Sequence, residues 1–277
     1  MNVLKIAAFC DGDKGGNPAG VAISDELPSE SEMRCTAAEV GFSETAFVAT
    51  MGSGWRVRYF SPESEVPFCG HATIALGAAL ALEHGDGVFL LTLNHASITV
   101  EGHREGGLIS AALQSPPTHS RLASSGLVSE ALALFGFTKE QLDPRIPPAF
   151  INGGVEHLAL ALKTREALAA MRYDLASGRN LMNREGLTTI ALIYAETERL
   201  FHARNPFASG GVYEDPATGA SAAALGGYLR DIAWPHGGAI EVIQGEDMGM
   251  RSLLRAEISS TPGASIRVSG TARIMRS

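Results

Sequence analysis

The chain has 277 residues, of which 45% are hydrophobic and 19% are charged, and its formal net charge is -8 at pH 7. This length favours two domains, and this composition is typical of a globular protein with a packed interior. The acidic balance argues against nucleic-acid binding, because phosphate recognition requires a basic surface. The apolar runs are too short to cross a bilayer, so no membrane segment is expected.

The cysteines and the first strand indicate the cellular compartment. Cys10, Cys35 and Cys69 are widely separated and form no CxxC pair, which argues against a disulfide framework or a zinc knuckle. Residues 1–10 alternate in polarity and include Lys5, as in a strand and unlike a signal peptide. A reducing, cytoplasmic environment is therefore expected.

The first half of the chain shows alternating strands and two helices. Ser29 and Glu32 form a capping-box pattern that opens a helix, and Gly41 is suited to end it. Strands are predicted over 3–9, 19–23, 45–50, 55–60, 88–100 and 108–113, and a second helix over 72–82.

Residues 115–118 and 120–125 are rich in breakers and small polar residues, which indicates a linker. We therefore expect halves at 1–118 and 119–277, with the last strand free to return to the first half. Beyond the linker, helices are predicted over 128–135 and 220–229, and strands over 157–162, 189–196 and 199–204.

An internal repeat relates the two halves. Residues 70–80 and 219–229 share several identical residues at one fixed offset, and Tyr59–Pro62 resembles Ala203–Pro206 at a slightly shorter one. The two predicted helical segments, 70–80 and 219–229, contain almost no charged residues. A helix that is apolar on every side must be buried on every side. The prediction is an α+β fold of two similar halves, each a sheet wrapped around a central helix.

The N-terminus of each buried helix is a natural functional position. Its unpaired N–H groups and positive dipole end favour an anion, such as a substrate carboxylate. The two starts read Cys69-Gly70-His71 and Asp215-Pro216-Ala217-Thr218-Gly219. The alternative is that the glycines only permit close packing and that Asp215 is an N-terminal cap.

Three side chains near these positions could carry proton chemistry. Glu44 lies between a helix end and an apolar strand, where desolvation would suit a group that takes and gives a proton; a solvent-facing glutamate is the alternative. The helix dipole favours a neutral imidazole at His71, able to donate and accept a hydrogen bond. Cys69 is placed for thiolate stabilisation, although a cysteine at a packed strand end is often inert.

Other chemistries find less support. Ser43 lies in Gly-x-Ser-x-Thr, one residue short of a nucleophile elbow, and no triad pattern accompanies it. The other histidines show no metal-ligand spacing, so no metal site is predicted. The Gly-rich run 12–18 lacks the signatures of a nucleotide-binding loop.

Five segments occur in an order that is characteristic of one family. They are Gly16–Val21, Ser43–Phe47, Pro67–Thr73, Glu214–Gly219 and, more loosely, Gln244-Gly245 followed by Gly249. Together they span nearly the whole chain, and they resemble the PhzF-like phenazine-biosynthesis proteins, relatives of diaminopimelate epimerase. The resemblance implies two diaminopimelate epimerase-like domains with an active site in the cleft between them, and a homodimer.

The resemblance also implies an activity, the isomerisation of trans-2,3-dihydro-3-hydroxyanthranilate without a metal or an organic cofactor. Glu44 matches the acid/base that lifts a ring proton and returns it to another carbon. His71 and Asp215 match residues that hydrogen-bond the substrate, a small carboxylate, and position the proton. The expected substrate-binding residues are Asn17, Ser43, Cys69, Gly70, Gly219, Ala220 and Ser221.

The sequence departs from the family pattern at two places. Ala220 stands where the family has Ser, with Ser221 one residue later, and residues 249–252 read Gly-Met-Arg-Ser where Gly-Arg-Pro-Ser is usual. Racemases that use two thiols need one cysteine at the start of each buried helix. Here the first helix start has Cys69 but the second has Asp215 and no cysteine, so a two-thiol racemase is excluded. The alternatives are an amino-acid-type epimerase that uses Cys69 and a non-catalytic small-ligand-binding protein.

Overall fold

The fold was obtained as a computed structural model that describes residues 2–105 and 108–275. Contacts divide the chain into two compact units. Unit 1 comprises the residues up to Gln114 together with those from Val268 onward, and unit 2 comprises Ser115–Arg267.

Both units combine helices with a larger number of strands. The helices are α1 (Glu30–Val40), α2 (Gly70–His84), α3 (Ser125–Phe135), α4 (Arg165–Ala169), α5 (Leu175–Glu185) and α6 (Gly219–Asp231). The strands are β1 (Leu4–Cys10), β2 (Asn17–Ser24), β3 (Thr45–Met51), β4 (Gly54–Phe60), β5 (Glu65–Val66), β6 (Gly87–Thr92), β7 (Ser97–Glu105), β8 (Leu108–Gln114), β9 (His119–Leu122), β10 (Ala149–Asn152), β11 (Glu156–Leu162), β12 (Thr189–Ala195), β13 (Leu200–Phe207), β14 (Val212–Asp215), β15 (Ala239–Gln244), β16 (Ser252–Glu257) and β17 (Arg267–Ile274).

Unit 1 is a sheet that closes on itself around α2. Its neighbouring strands run β1-β2-β3-β4-β6-β7-β8-β17, and β17 pairs again with β1. The pairs β2–β3 and β4–β6 are parallel, whereas β1–β2, β3–β4, β6–β7 and β7–β8 are antiparallel. Every residue of α2 from Gly70 to Ala81 is buried. The predicted arrangement of a sheet around a central helix is confirmed for this unit.

Small residues on α2 allow the strands to approach it from all sides. A Cβ placed on Gly77 would lie 2.5 Å from Val100 Cγ2 and 3.0 Å from the carbonyl oxygen of Glu101. Both atoms belong to β7. An alanine at this position would therefore force β7 away from the helix, and overpacking of this kind is destabilising.

Unit 2 repeats the plan with an added helical layer. Its strands pair in the order β9-β10-β11-β12-β13-β15-β16, with β14 antiparallel to β13. The buried helix α6 contacts β9, β10 and β16. Leucines 158, 160 and 162 of β11 pack on the opposite face of the sheet, in a core shared with α3 and α5.

Local signals in the sequence account for the start and the end of α1. Ser29 accepts from Glu32 N, the Glu32 carboxylate accepts from Ser29 N, and Gly41 adopts φ 72°, so the predicted capping box and left-handed cap are confirmed. The stretch 88–100, predicted to have strand character, contains most of β6 and the start of β7. The chain turns between these strands at 93–96, where Leu93 N donates to the carbonyl oxygen of Ala96.

The linker region also differs from its prediction. Residues 119–122 form strand β9, because their backbone pairs with β10 from Asn152 to Ala149. Residues 115–118, placed in the first half from the sequence, group with unit 2. Ser115 N donates to the carbonyl oxygen of Ile266, and Thr118 N donates to that of Gly263. The last strand, β17, lies mainly in unit 1.

The internal duplication includes an ion pair that is not apparent when the sequences of the two halves are compared. In each half a strand (β4 or β13) pairs with a short antiparallel strand (β5 or β14) that leads into the buried helix. An arginine on the first strand forms a two-pronged ion pair with a glutamate on the second. These pairs are Arg58–Glu65 and Arg204–Glu214, with nearest N–O distances of 2.5 Å in both. Each glutamate lies five residues before the first glycine of its helix.

His157, in the core of unit 2, makes stability depend on pH. Its Nδ1 lies 2.7 Å from Thr189 Oγ1, and burial lowers the pKa of His157 to about 3. In the unfolded chain the pKa is near 6.5, so between these values the unfolded state binds the proton more readily. The stabilising contribution of the neutral ring is complete above about pH 6.5 and is lost as pH falls towards 3.

We expect His157→Gln to flatten this acid dependence of the unfolding free energy. Urea unfolding at neutral pH and near the acid end of the window measures the difference. The exposed His119, changed to Gln, is the control. A wild type whose stability falls no more steeply with acid than the His157→Gln variant would refute the assignment.

Candidate active site

Unit 1 brings four of the predicted site residues together at the start of α2. His71 Nε2 lies 3.4 Å from Glu44 Oε2 and 3.4 Å from Ser43 Oγ. His71 Nδ1 lies 3.4 Å from Cys69 Sγ. Glu44, His71 and Cys69 are only 5%, 4% and 8% exposed. The cluster combines a carboxylate, an imidazole, a thiol and a hydroxyl in a nearly dry environment.

Glu44 owes its position to the parallel pairing of β2 and β3. Its carbonyl oxygen accepts a hydrogen bond from Gly20 N at 3.2 Å, which fixes the backbone at the entrance of β3. Its side chain points into the interior, where Oε2 is buried and receives no hydrogen bond from any described residue. A buried acceptor without a donor costs about 1–3 kcal/mol. Such a cost is commonly retained where a group has a function.

His71 is held between two chemically different neighbours. One ring nitrogen faces the thiol of Cys69, and the other faces both Glu44 and Ser43. A serine-hydrolase triad needs the serine and the carboxylate on opposite nitrogens of the ring. Here both approach Nε2, so the geometry does not fit a triad built on Ser43.

A pair of hydroxyl groups, missed from the sequence, braces the start of α2. Thr73 Oγ1 donates to the carbonyl oxygen of Cys69 at 2.7 Å, and Tyr59 OH lies 2.6 Å from Thr73 Oγ1. Burial raises the pKa of Tyr59, so the phenol keeps its proton and can donate to Thr73. Thr73 closes the matched segment Pro67–Thr73, which was the available signal for its role.

Unit 2 presents a corresponding turn before α6. Asp215, the last residue of β14, is buried, and its Oδ2 accepts a hydrogen bond from Thr218 Oγ1 at 2.6 Å. Thr218 precedes the first helical residue, Gly219, as Cys69 precedes Gly70. Asp215 is therefore held by a side chain at the helix start.

Gln244 at the end of β15 fixes this turn. Its Nε2 donates to the carbonyl oxygen of Asp215 at 2.7 Å and to Thr218 Oγ1 at 3.0 Å, and its Oε1 accepts from Thr218 N at 3.1 Å. The side chain is 1% exposed. Gly245 follows with φ 73°. The loose match at Gln244-Gly245 thus marks a positioning residue whose function the sequence did not reveal.

We expect Gln244→Ala to lower the free energy of unfolding by about 1–3 kcal/mol, because it leaves buried backbone groups of the turn without partners. Urea unfolding measures this loss. The partly buried Gln114, at the end of β8, is the matched control as Gln114→Ala. Equal effects of the two substitutions would contradict a specific bracing role.

The remaining predicted residues lie on β2, α2 and α6; Asn17, predicted in the Gly-rich loop, is instead in a strand. Asn17 is the buried first residue of β2 and stands in register with Ala8 of β1. Gly70 and Gly219 are the first residues of α2 and α6, and Ala220 and Ser221 are the next two residues of α6. All of these are buried.

The matches with known proteins point to one family. Residues 6–277 match the PhzC-PhzF family, described as phenazine biosynthesis-like protein. The chain belongs to the PhzF family. The chain is also 31% identical to an uncharacterized isomerase of Mesorhizobium japonicum, with 98% of this chain and 95% of the relative covered.

A named relative and a solved structure are also similar to the chain. The chain is 30% identical to trans-2,3-dihydro-3-hydroxyanthranilate isomerase of Pseudomonas fluorescens, covering 92% of this chain and 90% of the relative. The crystal structure of the Bacillus anthracis phenazine biosynthesis protein of the PhzF family superposes with a TM-score of 0.85 at 22% identity. That match covers 100% and 98% of the two chains. The chain is thus an isomerase of the PhzF family with a diaminopimelate epimerase-like α+β fold.

Proposed function

We propose that this PhzF-family isomerase shifts a proton on a small carboxylate-bearing substrate without a metal or organic cofactor, with Glu44 as the proton carrier. The observation that carries the proposal is the buried Glu44 carboxylate 3.4 Å from His71, with an oxygen that no described residue donates to. An acceptor of this kind is free to take a proton from a bound substrate.

The proposed reaction has two steps on one carboxylate. Glu44 removes a proton from a carbon of the substrate, and the electron pair of the broken C–H bond enters the conjugated system. The Glu44 carboxylic acid then returns the proton to a different carbon. When its Nδ1 accepts from the Cys69 thiol, His71 carries a proton on Nε2, which can donate a hydrogen bond to the substrate and orient it beside Glu44. Asp215, held by Thr218, is proposed to hydrogen-bond the substrate.

The proposed substrate class follows from the family. The Pseudomonas fluorescens relative acts on trans-2,3-dihydro-3-hydroxyanthranilate, an amino acid with a conjugated ring. At 30% identity, and with Ala220 where the family has Ser, a related carboxylate of different shape also fits the proposal. Ser221, the next residue of α6, supplies a hydroxyl one position later.

The direct test is isomerisation of trans-2,3-dihydro-3-hydroxyanthranilate by the purified protein in D2O, followed by NMR. We expect turnover in which the acceptor carbon carries the substrate's own hydrogen and not solvent deuterium, and no turnover in Glu44→Gln. If this substrate is inert, a panel of unsaturated carboxylates extends the test. Full activity of Glu44→Gln on any substrate would reject the mechanism.

A second candidate function is epimerisation by Cys69, which the 3.4 Å contact between Cys69 Sγ and His71 Nδ1 favours. The two functions differ in Cys69→Ser. Under the Glu44 mechanism we expect kcat to fall by less than about tenfold, since the thiol only tunes His71. Steady-state kinetics of Cys69→Ser and of the exposed Cys35→Ser measure this. A loss of a thousandfold or more, set against an unchanged Cys35→Ser, would favour the epimerase.

Cytoplasmic location and homodimerisation, inferred from the sequence, stay proposals. Within residues 2–105 and 108–275 no helix has the length and apolarity needed to span a membrane. Sedimentation of the purified chain tests the dimer.

A further inference from the structure

We propose that Glu44, Cys69 and His71 form a site for a thiophilic divalent cation, Zn²⁺ above all, and that the bound metal blocks proton transfer. The three residues each offer a donor atom, and these atoms lie within 4.8 Å of one another. All three side chains are buried. Nothing in the proposed isomerisation requires a metal, so this site is a separate property of the same residues.

The donor spacing suits a tetrahedral ion. Zinc bond lengths of about 2.0–2.1 Å to nitrogen and oxygen and about 2.3 Å to sulfur place neighbouring ligand atoms about 3.4–3.6 Å apart. His71 Nε2 lies 3.4 Å from Glu44 Oε2 and 3.9 Å from Cys69 Sγ. All three donor atoms lie within 4.8 Å of one another, so they can form three corners of a tetrahedron once the sulfur moves towards Nε2 and Oε2. The fourth corner is left for water or for Ser43 Oγ, which is 3.4 Å from Nε2.

An independent observation points to a ligand at this position. Glu44 Oε2 is buried and accepts no hydrogen bond from the described residues, so an acceptor oxygen faces the other two donors. A cation bonded to this oxygen would remove the cost of burying it unpaired.

The chemistry of the donor set selects the class of metal. Thiolate and imidazole favour zinc and other soft or borderline ions, whereas Mg²⁺ and Ca²⁺ prefer sites made of oxygen alone. Binding is coupled to release of the Cys69 thiol proton to solvent, with His71 neutral and Glu44 ionised. The positive end of the α2 dipole favours the thiolate but opposes the cation, so affinity is weaker than at a structural zinc site.

Metal binding and proton transfer compete for the same atoms. A cation occupies the Glu44 oxygen and the His71 nitrogen that the proposed reaction uses. Zinc is therefore expected to inhibit turnover and to be displaced by a chelator with full recovery. Two other cysteines of the chain serve as internal references, because Cys35 is exposed on α1 and Cys10 is buried in β1.

The test is titration of the purified protein with Co²⁺ as a spectroscopic stand-in for Zn²⁺. We expect a near-ultraviolet thiolate-to-cobalt charge-transfer band, visible bands of four-coordinate intensity, and loss of both on adding Zn²⁺. The charge-transfer band should persist in Cys35→Ser and disappear in Cys69→Ser, with circular dichroism showing that both variants are folded. His71→Gln should weaken binding at least tenfold.

The readout does not depend on isomerase activity, so the metal site and the proposed function can fail separately. Absence of the charge-transfer band in the wild type would overturn the site. A band that survives Cys69→Ser, or that vanishes in Cys35→Ser, would also overturn it, because the thiolate would then come from elsewhere. A band lost in Cys69→Ser, formed with at least tenfold weaker affinity in His71→Gln and kept in Cys35→Ser supports it, whereas unchanged affinity in His71→Gln would overturn it.

Discussion

Replacing Glu44 by glutamine is expected to lower kcat by at least about 100- to 10,000-fold, the usual contribution of a general acid/base. Glutamine keeps the shape of the side chain but neither accepts nor returns a proton. KM should change little, because the substitution removes a group that acts in the transition state. Steady-state kinetics on the substrate identified in the D2O experiment provide the measurement.

The stability of this variant separates catalysis from folding. The Glu44 carboxylate is buried with an oxygen that no described residue donates to, so a neutral amide should leave the free energy of unfolding unchanged or raise it. Glu26→Gln, at an exposed position in the same unit, is the control and should leave kcat unchanged. A Glu44→Gln variant that is unfolded would point to a structural carboxylate, and one that is fully active would exclude Glu44 as the carrier.

Arg204→Met is expected to cost about 3–5 kcal/mol of unfolding free energy, the largest stability effect that we foresee. Arg204 and Glu214 are 9% and 3% exposed, and Arg204 donates to Glu214 through both Nε and Nη2. It also donates to the carbonyl oxygen of Ala169. Methionine fills similar volume but leaves a buried carboxylate without its partner. Urea unfolding provides the measurement.

The internal duplication supplies a matched control for this substitution. Arg58 makes the same two-pronged contact with Glu65, but the two side chains are 20% and 23% exposed. Water can solvate Glu65 once the arginine is gone, so Arg58→Met should cost about 1 kcal/mol or less. Equal losses at the two positions would show that burial is not what makes the Arg204 pair matter.

Much of the fold was predictable because it depends on local patterns. The capping box at Ser29 and the uncharged helix at 70–80 are short-range signals, and each predicts its element without knowledge of the partners. Strand β9 was not predictable in this way. Its residues look like a linker, and they become a strand only because β10 lies beside them.

The same distinction between local patterns and long-range contacts applies to the candidate site. The positions of Glu44, His71 and Cys69 at element ends, together with the family resemblance, predict that they belong to the site. Their spacing to within hydrogen-bond range depends on the pairing of β2 with β3 and on the burial of α2, which no local pattern contains. A search for metal-ligand spacing along the sequence fails for the same reason, because Glu44 comes from a strand entrance and Cys69 and His71 from a helix start.

The central claim is that one shielded carboxylate carries a single proton between two carbons of the substrate. It is tested most directly by a single turnover in ordinary water of substrate deuterated at the carbon that loses its proton, with the product read by NMR. The account predicts deuterium at the acceptor carbon of the product and a primary isotope effect on the turnover. A product carrying only solvent hydrogen at that carbon, formed without an isotope effect, would contradict it.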